Sequence, residues 1–288
     1  MSALPGAAPV LLRLAGVRYR YPGGGRECGG GLEDCSLTIA QGSRNVLLGA
    51  NGSGKTTLLQ HAIGLLRPQS GGLEFAGQPL DYSRAGLSAL RRRVGLVFQN
   101  PDRQLFSASV LEDVSFGPLN LGLDDETVRR RVAEALALVG LAEAAERPVH
   151  HLSFGQKKRV CIAGVLAMAP ELLLLDEPMA GLDAAMQAEL LDVLDGLSAR
   201  GITVLLSTHD VDFAYRWADA IHVLAAGRCV ASFAAADLPQ HAASLQAAGQ
   251  PLPAVLALQQ ALHARGVLPA GVAPRSLDAL VAHLIPHP

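Results

Sequence analysis

The most informative part of the sequence is Gly49-Ala50-Asn51-Gly52-Ser53-Gly54-Lys55-Thr56-Thr57. A short apolar run, Val46-Leu47-Leu48, precedes it, and a helix-like segment from Leu58 to Leu66 follows it. A strand, a glycine-rich loop and a helix in this order are the context in which G-x-x-x-x-G-K-[ST] binds phosphate. The glycines let the backbone approach a ligand, and its N–H groups then face an anion at the positive end of the helix. The stretch therefore predicts a nucleoside triphosphate site.

Two side chains of this loop have predicted roles in the site. Lys55 supplies a mobile positive charge near the terminal phosphates, and the hydroxyl of Thr56 suits an octahedral Mg²⁺ that keeps most of its waters. The alternative is an ordinary glycine turn with a surface lysine. The flanking strand and helix favour the phosphate site over that alternative.

Composition narrows the class of protein. The chain has 288 residues, of which 50% are hydrophobic and 17% charged, so it can bury a core and is not expected to be disordered. Its net charge of -2 gives no overall attraction to nucleic acid, and we predict no nucleic-acid partner. The four cysteines show no C-x-x-C spacing, which indicates reduced thiols. No signal peptide and no apolar run of ~18 residues is found, so we expect any work at a membrane to be done from its side.

Hydrophobic periodicity predicts an α/β framework with a helical insert. Strand-like runs occur at 10–21, 37–39, 46–48, 73–75, 94–98, 172–175, 202–207, 221–224 and 229–233. Two of them, Leu172–Leu175 and Ile202–Ser207, are apolar on both faces like central parallel strands, and residues 185–199 supply the helix between them. Between about 100 and 170 the period becomes roughly 3.6, with a capping box at Ser109 and Glu112.

The C-terminal part predicts two short amphipathic helices, at 253–265 and at 277–285, the second capped by Ser276. This tail is too short for a core of its own. We therefore expect it to pack against the main domain or against a dimer mate.

Two acidic residues follow the buried strand at 172–175, at the edge where α/β sheets place their ligands. Adjacent side chains on a strand point to opposite sides, so Asp176 and Glu177 can divide two tasks. Asp176 can hold Mg²⁺ through water, while Glu177 can orient and activate the attacking water at the γ-phosphate. The alternative is a helix N-terminus that happens to carry acids, which the phosphate loop in the same chain disfavours.

A second candidate phosphate clamp is formed by Ser153-Phe154-Gly155-Gln156. Ser153 and Gln156 match a helix capping box, which in most proteins would be only a cap. Here the segment also offers a hydroxyl, a glycine N–H and the positive end of a helix to an anion. Two clamps in one chain suggest that they serve different sites.

These pieces, in this order, resemble the ATP-binding-cassette (ABC) ATPases. The resemblance covers roughly residues 8–235, which include a helical subdomain at about 100–170. The C-terminal helical extension at 236–288 lies outside it. It implies a P-loop NTPase with a mainly parallel sheet core, an antiparallel β subdomain, an inserted helical subdomain and a small helical tail. It rests on Gly49–Thr57, Gln99, Leu152–Gln156, Leu172–Glu177, Ala180-Gly181-Leu182-Asp183 and His209.

The resemblance also implies a twofold dimer, in which the Ser153–Gln156 segment of one subunit closes over the phosphates held by the other. Tyr21 would stack on adenine, with Tyr19 on the same face of the predicted strand as a weaker candidate. Gln99 would contact Mg²⁺ and sense the partner. Asp183 would line the dimer seam, and His209 would brace the γ-phosphate and the attacking water.

Two departures from the common family pattern stand out. Phe154 stands where the commonest signature has glycine, and Met179 replaces the usual threonine or serine. Because Ser153, Gly155 and Gln156 are intact, we expect the clamp to work.

Within this family the chain is similar to the ATPase subunits of energy-coupling-factor importers, particularly the cobalt/nickel branch. The segments that carry this similarity are Phe98–Phe106, Phe116–Leu123 and Gln156–Met168. It implies ATP and Mg²⁺ as ligands, integral-membrane transporter subunits as partners, a homodimer or heterodimer of ATPase subunits, and a peripheral position on the cytoplasmic face of the membrane. The alternatives are a soluble ABC ATPase without a transporter and a nucleotide-gated module with degenerate chemistry. The presence of Lys55, Glu177 and His209 together argues against the second alternative.

Overall fold

The computed structural model describes residues 8–22, 31–269 and 271–284. Its strands are β1 (Val10–Tyr19), β2 (Leu32–Ala40), β3 (Arg44–Leu48), β4 (Ser70–Phe75), β5 (Gln78–Pro79), β6 (Val94–Val97), β7 (Leu172–Leu175), β8 (Thr203–Thr208), β9 (Ala220–Ala225) and β10 (Arg228–Ala234). Its α-helices are α1 (Lys55–Ala62), α2 (Arg84–Arg93), α3 (Val110–Asn120), α4 (Asp125–Leu138), α5 (Phe154–Leu166), α6 (Ala184–Ala199), α7 (Val211–Trp217), α8 (Ala242–Ala247), α9 (Ala254–Ala264) and α10 (Leu277–Leu284).

The strands form two sheets. The larger has the order β10-β9-β3-β8-β7-β6, and all its strands are parallel except β10, which pairs antiparallel with β9. The smaller has the order β2-β1-β4-β5 and is antiparallel throughout. The predicted fold class, a mainly parallel core with an antiparallel subdomain and added helices, is confirmed.

The parallel strands are buried on both faces, as their uninterrupted apolar sequences predict. Along β7, Leu173 and Leu175 belong to the apolar cluster that contains α3–α7 and the C-terminal helices. Leu172 and Leu174 belong to the other cluster, which contains the antiparallel sheet and α1. The alternation of side chains along one strand thus joins two layers of the fold and holds the carboxyl end of β7 in a fixed place.

The first two α-helices between β6 and β7 begin at side-chain caps, of which that of α3 was predicted. Ser109 and Glu112 form the reciprocal capping box of α3, and Asp124 accepts a hydrogen bond from the N–H of Thr127 at the start of α4. Four buried apolar residues of α4 and its C-terminal cap lie at helical spacing: Val128, Val132, Leu136 and Val139.

Several elements differ from the sequence prediction. Helix α1 begins at Lys55, before the predicted start at Leu58, because Gly54 adopts φ +105° and turns the loop directly into the helix. Strand β1 ends at Tyr19, before the predicted end at residue 21. Helices α2 and α7 were not predicted. Two of the three arginines in the last turn of α2 have structural partners: Arg91 donates to the carbonyl of Gly64, and Arg93 pairs with Glu171.

The C-terminal helices pack on the main body, which was one of the two predicted alternatives. Their apolar side chains join its larger core cluster: Val255, Leu256, Leu268 and Leu280. Polar contacts fix them to α7, since Asp212 accepts from the N–H of Ala254 at 2.7 Å and Arg275 Nε donates to the carbonyl of Tyr215 at 2.6 Å. Ser276 caps α10 as predicted. Among the described residues, no helix has both the length and the apolar character required to cross a bilayer.

Candidate functional site

The glycine-rich loop lies between β3 and α1, as predicted. Gly52 and Gly54 have φ values of +78° and +105°, in the region that favours glycine. A Cβ on Gly49 would come within 2.5 Å of the carbonyl oxygen of Leu224, so only glycine fits there. No described side chain caps the start of α1, and its first turn contains no acidic residue. The positive end of this helix is therefore free to face an anion.

A cavity of about 310 Å³ lies over this loop. It is lined by residues of the predicted phosphate loop and by Gln99 and Glu177, which come from two other parts of the chain. Its lining consists of Asn51, Gly52, Gly54, Lys55, Thr56, Thr57, Gln99 and Glu177. The structure thus brings most of the predicted nucleotide-binding residues to one place, including residues more than a hundred positions apart in the sequence.

Lys55 is buried between the loop and the carboxyl end of β7. Its Nζ donates to the carbonyl oxygens of Gly49 at 2.7 Å and Ala50 at 3.2 Å. The same Nζ lies 3.1 Å from Oε1 of Glu177, in an ion pair whose side chains are only 6% and 11% exposed. The ion pair keeps the predicted base, Glu177, in direct contact with the predicted phosphate-binding residue, Lys55.

Asp176 and Thr56 meet at the edge of the cavity. The hydroxyl of Thr56 donates to Oδ2 of Asp176 at 2.8 Å. Gln99 lines the same cavity as Thr56. The side chains of Thr56, Asp176 and Gln99 all carry oxygen donors, which suit a hard divalent cation. No cluster of three or more His, Cys, Asp or Glu side chains that could hold a metal occurs in the part of the chain described. Such a cation would therefore need phosphate oxygens and water to complete its coordination, which fits this small donor set.

The side chains of Asp176 and Glu177 diverge as predicted. The cause is a turn after β7 rather than the alternation of side chains along a strand. Strand β7 ends at Leu175, and Glu177 lies beyond it with φ +44°, a left-handed conformation that is unusual for a non-glycine residue. The turn directs Glu177 Oε2 to within 3.1 Å of Nδ1 of His209. Glu177 therefore has contacts with both other predicted catalytic residues, His209 and Lys55.

Ser207, which the sequence analysis did not single out, joins the two acidic residues. Its buried hydroxyl donates to Asp176 Oδ1 at 2.7 Å and accepts from the N–H of Glu177 at 2.9 Å. The sequence contains a weak signal for it, since a serine at the end of an apolar strand is a polar group beside the ligand edge. Only the register of β7 and β8, which sets Leu175 opposite Leu206, places this serine level with Asp176.

Tyr21 lies beside the phosphate loop, and the residue is 40% exposed. Its hydroxyl is 3.3 Å from Oγ1 of Thr57 and donates to Gln60 at 3.1 Å. The expectation that Tyr19 and Tyr21 share one face of a strand is wrong, because β1 ends at Tyr19 and the two rings meet edge to face at 5.1 Å. The ring of Tyr19 contacts that of His61 on α1 instead.

The second candidate clamp opens α5 and forms the predicted capping box. Ser153 Oγ accepts from the N–H of Gln156 at 3.2 Å, and Gln156 Oε1 accepts from the N–H of Ser153 at 3.0 Å. Gly155 is buried against Met186, where a Cβ would come within 2.9 Å of the sulfur. Asp183 caps α6 and is exposed. Among the described residues that line the cavity, none comes from Ser153–Gln156 and none is Asp183.

Comparison with known proteins agrees with this geometry. The family model described as ABC transporter matches residues 32–180. Among curated proteins, the chain is 48% identical over 278 residues to the cobalt import ATP-binding protein CbiO of Rhodobacter capsulatus, which covers 96% of this chain and 97% of that protein. It is 42% identical to the energy-coupling factor transporter ATP-binding protein EcfA of Methanocaldococcus jannaschii, over 87% of this chain and 88% of that protein.

Solved structures show the same fold. The cbiO1 protein of Clostridium perfringens, described as part of the transporter complex cbiONQ, is 38% identical, with a TM-score of 0.75 over 90% of this chain and all of that chain. An ATP-binding cassette in a dimeric post-hydrolysis state with ADP and Pi is 29% identical, with a TM-score of 0.69 over 78% of this chain and 99% of that chain.

Proposed function

Because this chain belongs to the ABC transporter family and is an ATP hydrolase of that family, we propose that it powers an importer for Co²⁺ or Ni²⁺ through separate integral-membrane subunits. It would work as a peripheral protein on the cytoplasmic face of the membrane. The observation that carries the hydrolytic part is the contact of Glu177 with both Lys55 and His209 beside the glycine-rich loop. The similarity to CbiO over 96% of the chain supports the transport part and favours cobalt.

In this proposal Glu177 is the general base, and His209 holds its carboxylate in place through the contact at 3.1 Å. Phosphate oxygens are stronger acceptors than the carbonyls of Gly49 and Ala50, so Lys55 can exchange those partners for ATP. Thr56, Asp176 and Gln99 would hold the Mg²⁺ that accompanies ATP, which supplies charge neutralisation at the β- and γ-phosphates. Tyr21 would stack on adenine.

We further propose that the working unit is a dimer, either of two copies or with a related ATPase subunit. Ser153, Phe154, Gly155, Gln156 and Asp183 would act on the ATP held by the mate. Two features support this arrangement: these residues are absent from the described lining of their own cavity, and a related cassette has been solved as a dimer with ADP and Pi. A helix N-terminus such as that of α5 offers the positive end needed by a phosphate.

The surface proposed to receive the membrane subunit is an exposed apolar patch made of Phe106, Phe116 and Leu119. These side chains are 66%, 47% and 53% exposed, and the two phenylalanine rings meet edge to face at 4.7 Å. Asp113 holds the segment in place by accepting hydrogen bonds from the N–H groups of Phe106 and Ser107. Large exposed apolar side chains that are held rigidly are typical of docking sites.

We expect Phe106→Glu to abolish co-purification with the membrane subunits and to leave the ATP turnover of the isolated chain within about twofold of wild type, because it places a charge in an apolar contact. The matched control is Leu65→Glu, since Leu65 is 49% exposed but lies after α1. Retention of the membrane subunits by Phe106→Glu would contradict the proposed surface. If no membrane protein co-purifies with the wild-type chain, the alternative of a soluble ABC ATPase is favoured. The identity of the transported ion is tested separately, by measuring uptake of Co²⁺ and of Ni²⁺ by the intact complex.

A further inference from the structure

Lys158 is a buried cation that the proposed mechanism does not use. It lies on the second turn of α5, five residues after Ser153, and is only 2% exposed. Its Nζ donates to the carbonyl oxygens of Pro178 and Ala180, each at 2.7 Å, and lies 3.4 Å from that of Glu177. An ammonium group is buried only when its donors are satisfied, and here the backbone beyond the catalytic glutamate satisfies them.

The ring of Phe154 covers this ammonium group. The Nζ of Lys158 lies 5.3 Å from the centre of the ring, at cation–π distance. An edge of the ring packs on Gly181, where a Cβ would come within 3.0 Å of it. The phenylalanine that departs from the common signature therefore has a structural role: it shields Lys158 from water and fills the space over the turn.

The carbonyl groups bound by Lys158 belong to the segment that connects Glu177 with Asp183. Glu177 has φ +44°, and such a conformation persists only where its surroundings hold it. Ser207 holds its N–H side and Lys158 holds its carbonyl side. A displacement of α5 would thus be passed through one side chain to the turn that orients the base.

We propose that Lys158 is a positioning residue that couples closure of the Ser153–Gln156 clamp on the mate's ATP to the orientation of the chain's own Glu177. This inference rests on the proposed dimer, and it predicts that the two ATP sites respond to each other. A Lys158→Met variant should keep its affinity for a non-hydrolysable ATP analogue within about twofold. Its kcat should fall by about 10- to 100-fold, because small displacements of a catalytic group have effects of that size. Its Hill coefficient for ATP should fall towards one.

Burial lowers the pKa of Lys158 to about 8. Two titratable groups face its ammonium group and raise this pKa: Cys161 on the same helix and Glu177 on the turn. The ammonium form is therefore lost as the pH rises through about 8. Arginine stays protonated there, so the ratio of kcat of Lys158→Arg to that of wild type should rise between pH 7 and pH 9. A purely structural lysine would leave this ratio flat.

The experiment measures kcat, analogue affinity, Hill coefficient and thermal unfolding midpoint for wild type, Lys158→Met, Lys158→Arg and the control Lys157→Met. Lys157 is the neighbouring lysine, but it pairs with Asp102 away from the turn, so its variant should match wild type. If Lys158→Met is too unstable to assay, the pH ratio of Lys158→Arg decides. Wild-type kcat and Hill coefficient in Lys158→Met, or a flat ratio for Lys158→Arg, would overturn the role of Lys158. If the wild-type chain itself does not dimerise with ATP, the proposed dimer fails instead.

Discussion

Replacing Glu177 with glutamine should reduce ATP turnover by at least about 100-fold while ATP remains bound, because the amide keeps the size of the carboxylate but cannot take a proton from water. The substitution also removes the ion pair with Lys55, whose Nζ lies 3.1 Å from Glu177 Oε1. Lys55 is then held only by loop carbonyls, so ATP affinity should equal or exceed that of wild type. Removal of a negative charge beside the γ-phosphate should also favour a long-lived ATP-bound dimer.

Turnover and size-exclusion chromatography with Mg²⁺-ATP measure both effects. The matched control is Glu171→Gln, since Glu171 lies immediately before β7, at its other end, and pairs with Arg93 at the surface. This control should turn over ATP like wild type, because an exposed ion pair contributes little. Near wild-type turnover in Glu177→Gln would mean that another group activates the water.

Lys55→Met and Ser153→Asp should each lower ATP turnover by about 100-fold or more, for different reasons. The first removes the charge that binds the terminal phosphates. The second keeps the helix cap, because aspartate caps α5 as serine does, but it directs a negative charge at the mate's phosphates. Each variant alone is thus deficient in a different half of the proposed composite site.

An equimolar mixture of these two variants should regain activity. With random pairing, about half of the dimers would contain one copy of each variant. Each mixed dimer has one site with an intact Lys55 and an intact Ser153, and one site that lacks both. About a quarter of the wild-type number of sites is therefore restored. Turnover is measured before and after mixing, with subunit exchange confirmed by a size tag on one variant. Activity that remains at the average of the two separate variants would contradict complementation between subunits.

Much of the fold could be predicted because its signals are local. The glycine-rich loop, the caps of α3 and α5, and the fully apolar runs of β7 and β8 each determine their own geometry within a few residues. Long-range contacts were not predictable in this way. Ser207 is placed beside Asp176 by the register between two strands, and Lys158 reaches Pro178 through the packing of α5 on the turn. Helix α7 was missed because its seven residues are too few for a clear period.

The same distinction applies to the candidate site. The glycine-rich loop and Glu177 could be predicted to meet in the cavity, since loop and strand ends in an α/β sheet lie at one edge. Gln99 was predicted there only from the family resemblance. The sequence did not predict that Glu177 adopts a left-handed conformation, because that depends on the hydrogen bond that its N–H donates to Ser207 and on the one that its carbonyl accepts from Lys158, both across the fold. The sequence analysis also placed Tyr21 on the first strand, whereas β1 ends at Tyr19.

The dimeric site is tested best by an ATP-dependent cross-link between Asn51→Cys in one copy and Ser153→Cys in another, both in the Glu177→Gln background. Burial raises the pKa values of Cys35 and Cys161 to about 12, so these thiols react poorly with a short cross-linker. Cys28, which lies outside the described residues, and Cys229, which is only partly buried, are replaced by serine. We predict a covalent dimer that forms with Mg²⁺-ATP and not with ADP. Absence of any such product with ATP, while ATP binding is intact, would contradict a site shared between two chains.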